Sequence, residues 1–253
     1  MCRYTFLVFI FLLLILFFTL KYENKIENFT QKEKPKIFII NLDKDRERMN
    51  KLDNEMKKNK LDYERFSAVK GSELTDESPM VKKYFAHNLK KYSNNQKGCT
   101  LSHISIWNKI KENSYKYTIV LEDDVIIPKN LFNKLDIYLK QLPDDWDILF
   151  LGGNKIIGHK YSTNLIIPDN KRWGNFGTFS YLIRNKNIDK ILDRCKNIKL
   201  HTDLFMQREL RKDNKIFFCN PQLVKHNYDH FSNNFKRNRT KEAHRNNIIT
   251  VLK

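Results

Sequence analysis

The most informative part of the sequence is YTIVLEDDV, residues 117–125. Its first five residues are apolar or β-branched and predict a buried strand, which ends at three consecutive acids, Glu122, Asp123 and Asp124. Carboxylates at the end of an apolar strand are costly unless a cation or solvent meets them. In open α/β sheets, ligands bind at the carboxyl ends of the strands. The stretch therefore predicts either a site for Mg²⁺ or Mn²⁺, which prefer carboxylate oxygens, or a solvated acidic turn.

Apolar runs and helical spacings alternate on both sides of this stretch. Further strands are predicted at 37–40, 63–69, 146–151 and 176–183, and helices at 46–60, 101–110 and 188–195. Strands that alternate with helices are typical of an α/β protein with a largely parallel central sheet. The chain has 253 residues, enough for one sizeable domain or two small ones.

The chain is strongly basic, with 47 Lys and Arg against 29 Asp and Glu and a formal net charge of +18. Such an excess suits nucleic acid or anionic lipid, or it reflects a chain that uses Lys and Asn everywhere. The basic residues are spread along the whole chain and no nucleic-acid-binding motif accompanies them, so we expect no nucleic-acid partner. The charge still favours an anionic ligand such as a nucleotide diphosphate. Four cysteines without a CxxC pair exclude a zinc ribbon and a dense disulfide scaffold.

The front of the chain is a separate segment. Residues 5–20 are sixteen residues without a charge, short for a membrane span of about 20 residues. A cleaved signal peptide is disfavoured because no small-x-small cleavage site follows, and a core helix because the segment is apolar on every face. We expect an uncleaved signal-anchor at 1–21, a polar stem at 22–36 and a globular domain at 37–253, which together make a single-pass membrane protein.

The orientation of this anchor stays open between a lumenal and a cytoplasmic domain. More basic residues follow the apolar segment than precede it, which leans weakly toward a cytoplasmic domain. The sequons at Asn28 and Asn238 would suit a lumen, although an Asn-rich chain forms such triplets by chance.

Three further positions carry side chains suited to chemistry. Cys99 with His103 would suit a cysteine hydrolase, whereas a cysteine at the start of an apolar helix is typical of a small buried residue. Ser102 and His103 are alternatively placed to face a bound nucleotide or to fix the loop. Asp203 is a candidate general base or an ordinary helix N-cap. His226 completes a metal site or is an ordinary polar residue.

Seven segments of the chain form an ordered set of motifs. They are IINLDKDRERM (39–49), FSAVKG (66–71), GCTLSHISIW (98–107), IVLEDDV (119–125), WDILFLG (146–152), GTFSYLI (177–183) and TDL (202–204). Taken together and in this order, they resemble glycosyltransferase family 25, which includes bacterial lipooligosaccharide galactosyltransferases and procollagen galactosyltransferases. The seven segments span nearly all of the chain after the stem.

The resemblance implies a GT-A fold, a UDP-sugar donor carrying galactose or glucose, and Mn²⁺ or Mg²⁺ held by a DxD-type motif. It implies transfer, with inversion, to a glycan, a lipooligosaccharide or a hydroxylysine-containing protein. The implied site has Asp203 as the base and Asp124, Glu122 and His226 as metal ligands, and its donor-binding residues are Asn41, Leu42, Arg48, Ser102, His103, Glu122 and Asp123. Lys70 and the Phe179-Ser180 pair depart from the family pattern, which bears on the choice of sugar.

Two other classes of protein compete with an active enzyme. A degenerate GT-A scaffold would act as a membrane-anchored binding protein, although the intact acids at 122–124 and Asp203 argue against it. A basic protein of nucleic-acid or lipid surfaces would bind in a steeply salt-dependent way without any sugar nucleotide.

Overall fold

The computed structural model describes residues 12–13, 34–85, 89–113, 115–169, 171–213, 215–227 and 249–252. The predicted anchor (1–21) and stem (22–36) lie almost entirely outside the described residues. Among the described residues, no helix combines the length and the apolar character needed to cross a membrane.

Eleven strands form two sheets within the described residues. The strands are β1 (Lys36–Asn41), β2 (Glu64–Ser67), β3 (Tyr117–Glu122), β4 (Val125–Ile126), β5 (Ile148–Phe150), β6 (Ile156–Lys160), β7 (Leu165–Pro168), β8 (Ser180–Arg184), β9 (Ile216–Cys219), β10 (Lys225–His226) and β11 (Ile249–Leu252). Nine of them form a sheet in the order β11-β6-β7-β9-β5-β8-β3-β1-β2, while β4 and β10 pair separately. The strand predictions at 37–40, 63–69, 117–121, 146–151 and 176–183 are confirmed as β1, β2, β3, β5 and β8.

Six α-helices lie within residues 34–227 of the described part of the chain. They are α1 (Arg46–Lys58), α2 (Pro79–Phe85), α3 (Asn94–Asn113), α4 (Leu131–Leu139), α5 (Ile188–Arg194) and α6 (Thr202–Leu204). Helix α6 continues as a π-helical turn at Phe205–Glu209 and a 3₁₀ turn at Leu210–Lys212. Further 3₁₀ turns lie at Gly71–Glu73, Leu89–Lys91 and Asn185–Asn187. The three helix predictions are confirmed as α1, α3 and α5.

The prediction of a largely parallel sheet is wrong, because the sheet is mixed. Four neighbouring pairs are parallel, namely β1–β2, β1–β3, β5–β9 and β6–β11. The other four are antiparallel, namely β3–β8, β5–β8, β6–β7 and β7–β9. Only four residues join β6 to β7, too few for the crossover that parallel strands require.

The sheet is covered by helices on both faces. Alternate residues of each strand point to opposite faces, so β1 sends Phe38 and Ile40 to one core and Ile37 and Ile39 to the other. The first core includes apolar residues of α3 and α5, and the second includes those of α1 and α4. Each fully buried aliphatic or aromatic side chain contributes about 1.5–3 kcal/mol. The result is a three-layer α/β arrangement.

One edge of the sheet brings several strand ends together. Strands β1 and β3 are parallel neighbours with Ile40 opposite Glu122, so their carboxyl ends meet. Because β8 is antiparallel to β3, its amino end reaches the same edge, with Ser180 opposite Leu121. The backbone N–H of Glu122 donates to the carbonyl of Phe179, at 2.8 Å. This edge carries the candidate site.

Candidate functional site

The last two acids of the triplet lie in a buried, charged group of side chains. We call this group the Asp123–Asp124 cluster, and it comprises Asn41, Arg48, Asp123, Asp124 and His226. Asn41, at the end of β1, donates from Nδ2 to Asp123 Oδ2 at 2.6 Å. Arg48, from α1, contacts Asp123 Oδ1 and lies 2.9 Å from Asp124 Oδ2. His226 Nε2, from β10, lies 3.3 Å from the same Asp124 oxygen. One guanidinium therefore balances two neighbouring carboxylates.

Burial dominates the electrostatics of Asp123. It raises the pKa of this carboxyl to about 7, although the Arg48 charge and the Asn41 hydrogen bond both act to lower it. The side chains of Arg48, Asp123 and Asp124 are only 14%, 8% and 14% exposed. The low exposure keeps water from screening these charges, so the cluster depends on its internal partners.

The first acid of the triplet lies beside a hydroxyl, a thiol and an imidazole. We call this second group the Glu122 cluster, and it comprises Cys99, His103, Glu122 and Thr178. The Thr178 hydroxyl donates to Glu122 Oε1 at 2.9 Å, and His103 Nε2 lies 3.6 Å from that oxygen. Burial raises the pKa of the Cys99 thiol, and the Glu122 charge adds to this effect. The thiol therefore keeps its proton at neutral pH, which removes the basis for Cys99 as a nucleophile.

Asp203 lies beside the Glu122 cluster. Its Oδ2 is 3.4 Å from the backbone N–H of Gly177, the residue before Thr178, and its Oδ1 accepts from Leu204 N–H at 2.8 Å. Burial raises the pKa of Asp203, while these two backbone hydrogen bonds lower it. His201, rather than Asp203, occupies the N-cap position of α6. The N-cap alternative for Asp203 is therefore wrong, and a carboxylate of raised pKa suits a base.

The remaining predicted donor-binding residues lie apart from these contacts. Ser102 is fully buried, where its hydroxyl donates to the Gly98 carbonyl at 2.8 Å and accepts from Val69 N–H at 2.9 Å. The first bond lies within α3, and the second ties the loop after β2 to this helix, which agrees with the alternative considered for this residue, that it fixes a loop. The Leu42 carbonyl accepts from Asp45 N–H at 2.9 Å in the turn after β1. Contact of Ser102 and Leu42 with a nucleotide stays a prediction.

Two contributors were missed by the sequence-based prediction. Thr178 holds Glu122, and Tyr181 contacts His103 Nδ1 at 3.0 Å. Both lie in the segment GTFSYLI, which the family resemblance picked out as a whole. Pairing β8 against β3 would have placed them beside Glu122, but the prediction assumed a parallel sheet.

Two groups of side chains differ in how well they fit a metal. Asp124 and His226 offer a carboxylate and an imidazole, which suit Mn²⁺, and the carboxylate also suits Mg²⁺. Glu122, the third predicted ligand, lies instead with Cys99 and His103, whose ligand atoms are all within 4.8 Å of one another. A thiolate and an imidazole suit zinc better than a hard cation, so the pair of Asp124 and His226 fits Mn²⁺ or Mg²⁺ better than this group does. Metal binding itself stays a prediction.

Fold and site together describe an α/β protein with an acid-lined candidate site at the edge where the central strands β1 and β3 end. The model of glycosyltransferase family 25 (LPS biosynthesis protein) matches residues 34–169, which is more than half of the chain, and the chain belongs to this family. This confirms the resemblance and supports the prediction of a glycosyltransferase. Five of the seven segments lie inside the matched region, whereas those at 177–183 and 202–204 lie beyond it.

Individual relatives share about a quarter to a third of their residues with this chain over the aligned region. Procollagen galactosyltransferase 1-A of Xenopus laevis is 26% identical over 180 residues, which cover 65% of this chain and 29% of that protein. Lipooligosaccharide biosynthesis protein lex-1 of Haemophilus influenzae is 31% identical over 116 residues, which cover 41% of this chain and 37% of that protein. This chain thus matches well under half the length of either relative.

A solved structure also aligns with this chain. It is the crystal structure of a glycosyltransferase involved in the glycosylation of the major capsid of PBCV-1. The alignment has a TM-score of 0.42 and 10% identity, and it covers 73% of this chain and 81% of that one.

Proposed function

We propose that this chain transfers a hexose, galactose or glucose, from a UDP-sugar to an acceptor hydroxyl on a glycan or glycoprotein. The observation that carries the proposal is the convergence of Asn41, Arg48, Asp124 and His226, from four different elements, at the carboxyl ends of β1 and β3. Ligands of α/β proteins bind at such an edge. The family assignment adds the reaction class, and a GT-A type of fold is part of the proposal.

The Asp123–Asp124 cluster suits the diphosphate end of the donor. Asp124 and His226 would hold Mn²⁺ or Mg²⁺, which supplies positive charge to the leaving diphosphate when bound. Arg48 already lies against both acids, and a guanidinium also binds phosphate with matching geometry. Arg48 would thus neutralise the carboxylates before the donor binds and the phosphates of the donor afterwards.

Asp203 suits the acceptor end of the reaction. The acceptor hydroxyl must lose its proton as it attacks C1 of the sugar, and a carboxylate with a raised pKa is well matched to that task. Attack from the side opposite the leaving diphosphate inverts the anomeric centre. In the same proposal the acceptor is a glycan, a lipooligosaccharide or a hydroxylysine-containing protein, and the chain is held at a membrane by its apolar front segment.

The test is metal-dependent release of UDP, measured for UDP-galactose, UDP-glucose and other UDP-sugars with Mn²⁺, Mg²⁺ or excess chelator. We expect release from at least one hexose donor, with loss in chelator and in Asp124→Asn. The matched control is Asp145→Asn, because Asp145 is 65% exposed and pairs with Lys215 on the surface.

Two results would contradict the proposal at different levels. Full activity in chelator or in Asp124→Asn would remove the metal assignment and leave the transfer reaction. Absence of release with every UDP-sugar, in a protein that still binds UDP, would indicate the degenerate scaffold instead.

A further inference from the structure

Three buried side chains form a chain of contacts that ends at the Glu122 cluster. Trp107 Nε1 donates to the Tyr181 hydroxyl at 2.9 Å, and that hydroxyl lies 3.0 Å from His103 Nδ1. His103 Nε2 lies on the far side of the ring, 3.6 Å from Glu122 Oε1. Trp107, Tyr181 and His103 are at most 1% exposed. Water therefore does not compete for the hydrogen bonds among these three side chains.

Donor and acceptor counting fixes the direction of these hydrogen bonds. The Trp107 indole only donates, so the Tyr181 oxygen accepts from it and still has its own proton to place. Among the described residues, His103 Nδ1 is the acceptor within reach of that proton. A buried hydroxyl without an acceptor is costly, so the Tyr181 hydroxyl donates to Nδ1. Neutral His103 then carries its proton on Nε2.

This tautomer leaves a buried donor that the described residues do not satisfy. His103 Nε2 has no hydrogen-bond partner among them, and 3.6 Å to Glu122 is too long for a hydrogen bond. A nitrogen that carries a proton also cannot ligate a metal, which argues against a metal held by Cys99, His103 and Glu122. The missing partner is therefore an oxygen acceptor rather than a cation.

We propose that His103 and Glu122 form a subsite for one hydroxyl group of the transferred hexose. A sugar hydroxyl both accepts and donates, so it can accept from His103 Nε2–H and donate to the Glu122 carboxylate. Thr178 already donates to Oε1 of Glu122 and holds that side chain in place. Trp107 and Tyr181 act as positioning residues, because they set which atom of His103 donates.

The position of the subsite indicates that it contacts the hexose of the donor rather than its nucleotide. Gly177 and Thr178 are consecutive, and the first contacts Asp203 while the second contacts Glu122. The subsite thus lies on the side of the proposed base, where the reacting sugar must be. Asn41 and Arg48 serve the other side, where the diphosphate is proposed to bind. This inference rests on the proposed function for the identity of its ligand.

The first experiment is independent of activity. Nitrogen-15 NMR of the imidazole groups in the full chain distinguishes a protonated from an unprotonated ring nitrogen, and the His103 signals are assigned by their absence in His103→Gln. We expect a protonated Nε2 and an unprotonated Nδ1. A proton on Nδ1 alone would overturn the proposal, as would a cobalt–thiolate absorption band on Co²⁺ addition that disappears in Cys99→Ser.

The second experiment measures the dissociation constants of the active UDP-hexose and of UDP alone. In His103→Gln the amide nitrogen replaces Nε2, so binding should stay within a few-fold of the native protein. In His103→Asn the amide replaces Nδ1 instead, and UDP-hexose binding should weaken about tenfold or more while UDP binding is unchanged. The control is His159→Gln, since His159 is an exposed histidine paired with Asp169.

The outcomes separate this inference from the proposed function. Equal binding by His103→Gln and His103→Asn, or equal losses for UDP and UDP-hexose, would overturn the hexose subsite while transfer activity stands. A native protein that binds no UDP-hexose would overturn the proposed function and the ligand assigned here. The NMR result would then still decide whether His103 donates from Nε2.

Discussion

The Asp123–Asp124 cluster and the Glu122 cluster begin at consecutive residues, yet they stabilise their acids in different ways. Arg48 lies against both Asp123 and Asp124, and its charge is buried with theirs. Glu122 is held by the Thr178 hydroxyl and faces a histidine, and its side chain is 27% exposed. A buried charge is destabilising unless a counter-charge lies beside it, whereas a partly exposed carboxylate is stabilised by hydrogen bonds alone.

The difference shows how one edge of a sheet can hold two kinds of chemistry. The Arg48 guanidinium acts to lower the pKa of Asp123, although burial outweighs it and raises that pKa to about 7, and a guanidinium beside carboxylates suits an ion or phosphate site. Asp203, beside the Glu122 cluster, has no cation within salt-bridge distance among the described residues, and burial raises its pKa. The positive charge of Arg48 lies in the Asp123–Asp124 cluster. Asp203, beside the Glu122 cluster, has no such partner in the described part of the chain and is therefore suited to accept a proton.

Replacing Asp203 should reduce the rate of transfer more than any other change that tests the difference between the two clusters. Asp203→Asn cannot accept a proton at neutral pH, so transfer to an acceptor should fall about 10²–10⁴-fold while UDP-sugar binding is kept. Steady-state kinetics and the dissociation constant of the donor, measured on the same preparation, check this. Turnover within a few-fold of the native protein would mean that the base lies elsewhere, with Asp123 the next position to examine, since Asp147 lies at the other end of β8, beside Arg184.

The pH dependence of the native enzyme follows from the same residue. The active form of a base is the deprotonated one, so kcat/KM should rise with pH through a pKa above the usual aspartate value of 3.8, because burial raises it. Folding stability has the opposite trend: with the folded pKa above the unfolded one, the contribution of Asp203 is lost as pH rises between the two. Asp203→Asn should lack that loss.

The next effect concerns the counter-charge. Arg48→Met leaves two buried carboxylates without their guanidinium, and breaking such a pair typically costs about 3 kcal/mol or more. Urea unfolding in metal-free buffer measures it. The control is Lys51→Met on the same helix, where an exposed pair with Glu47 contributes about 0.3–0.5 kcal/mol. If the cluster also takes a divalent cation, Mn²⁺ should restore part of the loss.

Equal stability of Arg48→Met and the native protein would show that the carboxylates are neutral in the folded state. The two clusters would then not differ in charge, and the contrast between the ion pairs of Arg48 and the hydrogen bonds of Glu122 would be wrong.

The sequence predicts the elements that carry the site better than the sheet that joins them. The runs of β1 and β3 are evident because both faces of these strands are buried, and α1 and α3 are evident from the helical spacing of their apolar residues. The antiparallel insertion of β8 leaves no local signal, because strand direction depends on partners far along the chain. The short strands β6, β7 and β9 were missed for a related reason, as runs of four or five residues have little periodicity.

The same limit applies to the side chains of the site. The acids at 122–124 are evident from the sequence because charged residues at the end of an apolar strand are unusual. Their separation into two groups is not evident, because it depends on Arg48 from α1 and Thr178 from the loop before β8. His226 lies beside Asp124 through the pairing of β10 with β4, which places residues about a hundred positions apart in contact.

Replacing Glu122 should change the free energy of unfolding least, and this change tests whether the Glu122 cluster contains a buried ion pair. Glu122→Gln keeps the shape of the side chain and an oxygen that can accept from Thr178, and it removes only the charge. Because no buried cation depends on that charge, the free energy of unfolding should change by less than about 1 kcal/mol. The measurement is urea unfolding in metal-free buffer beside Arg48→Met, with Glu47→Gln as the exposed control. A loss near that of Arg48→Met would mean that His103 is protonated and pairs with Glu122. The Nε2–H tautomer of neutral His103, and with it the distinction between the two clusters, would then be wrong.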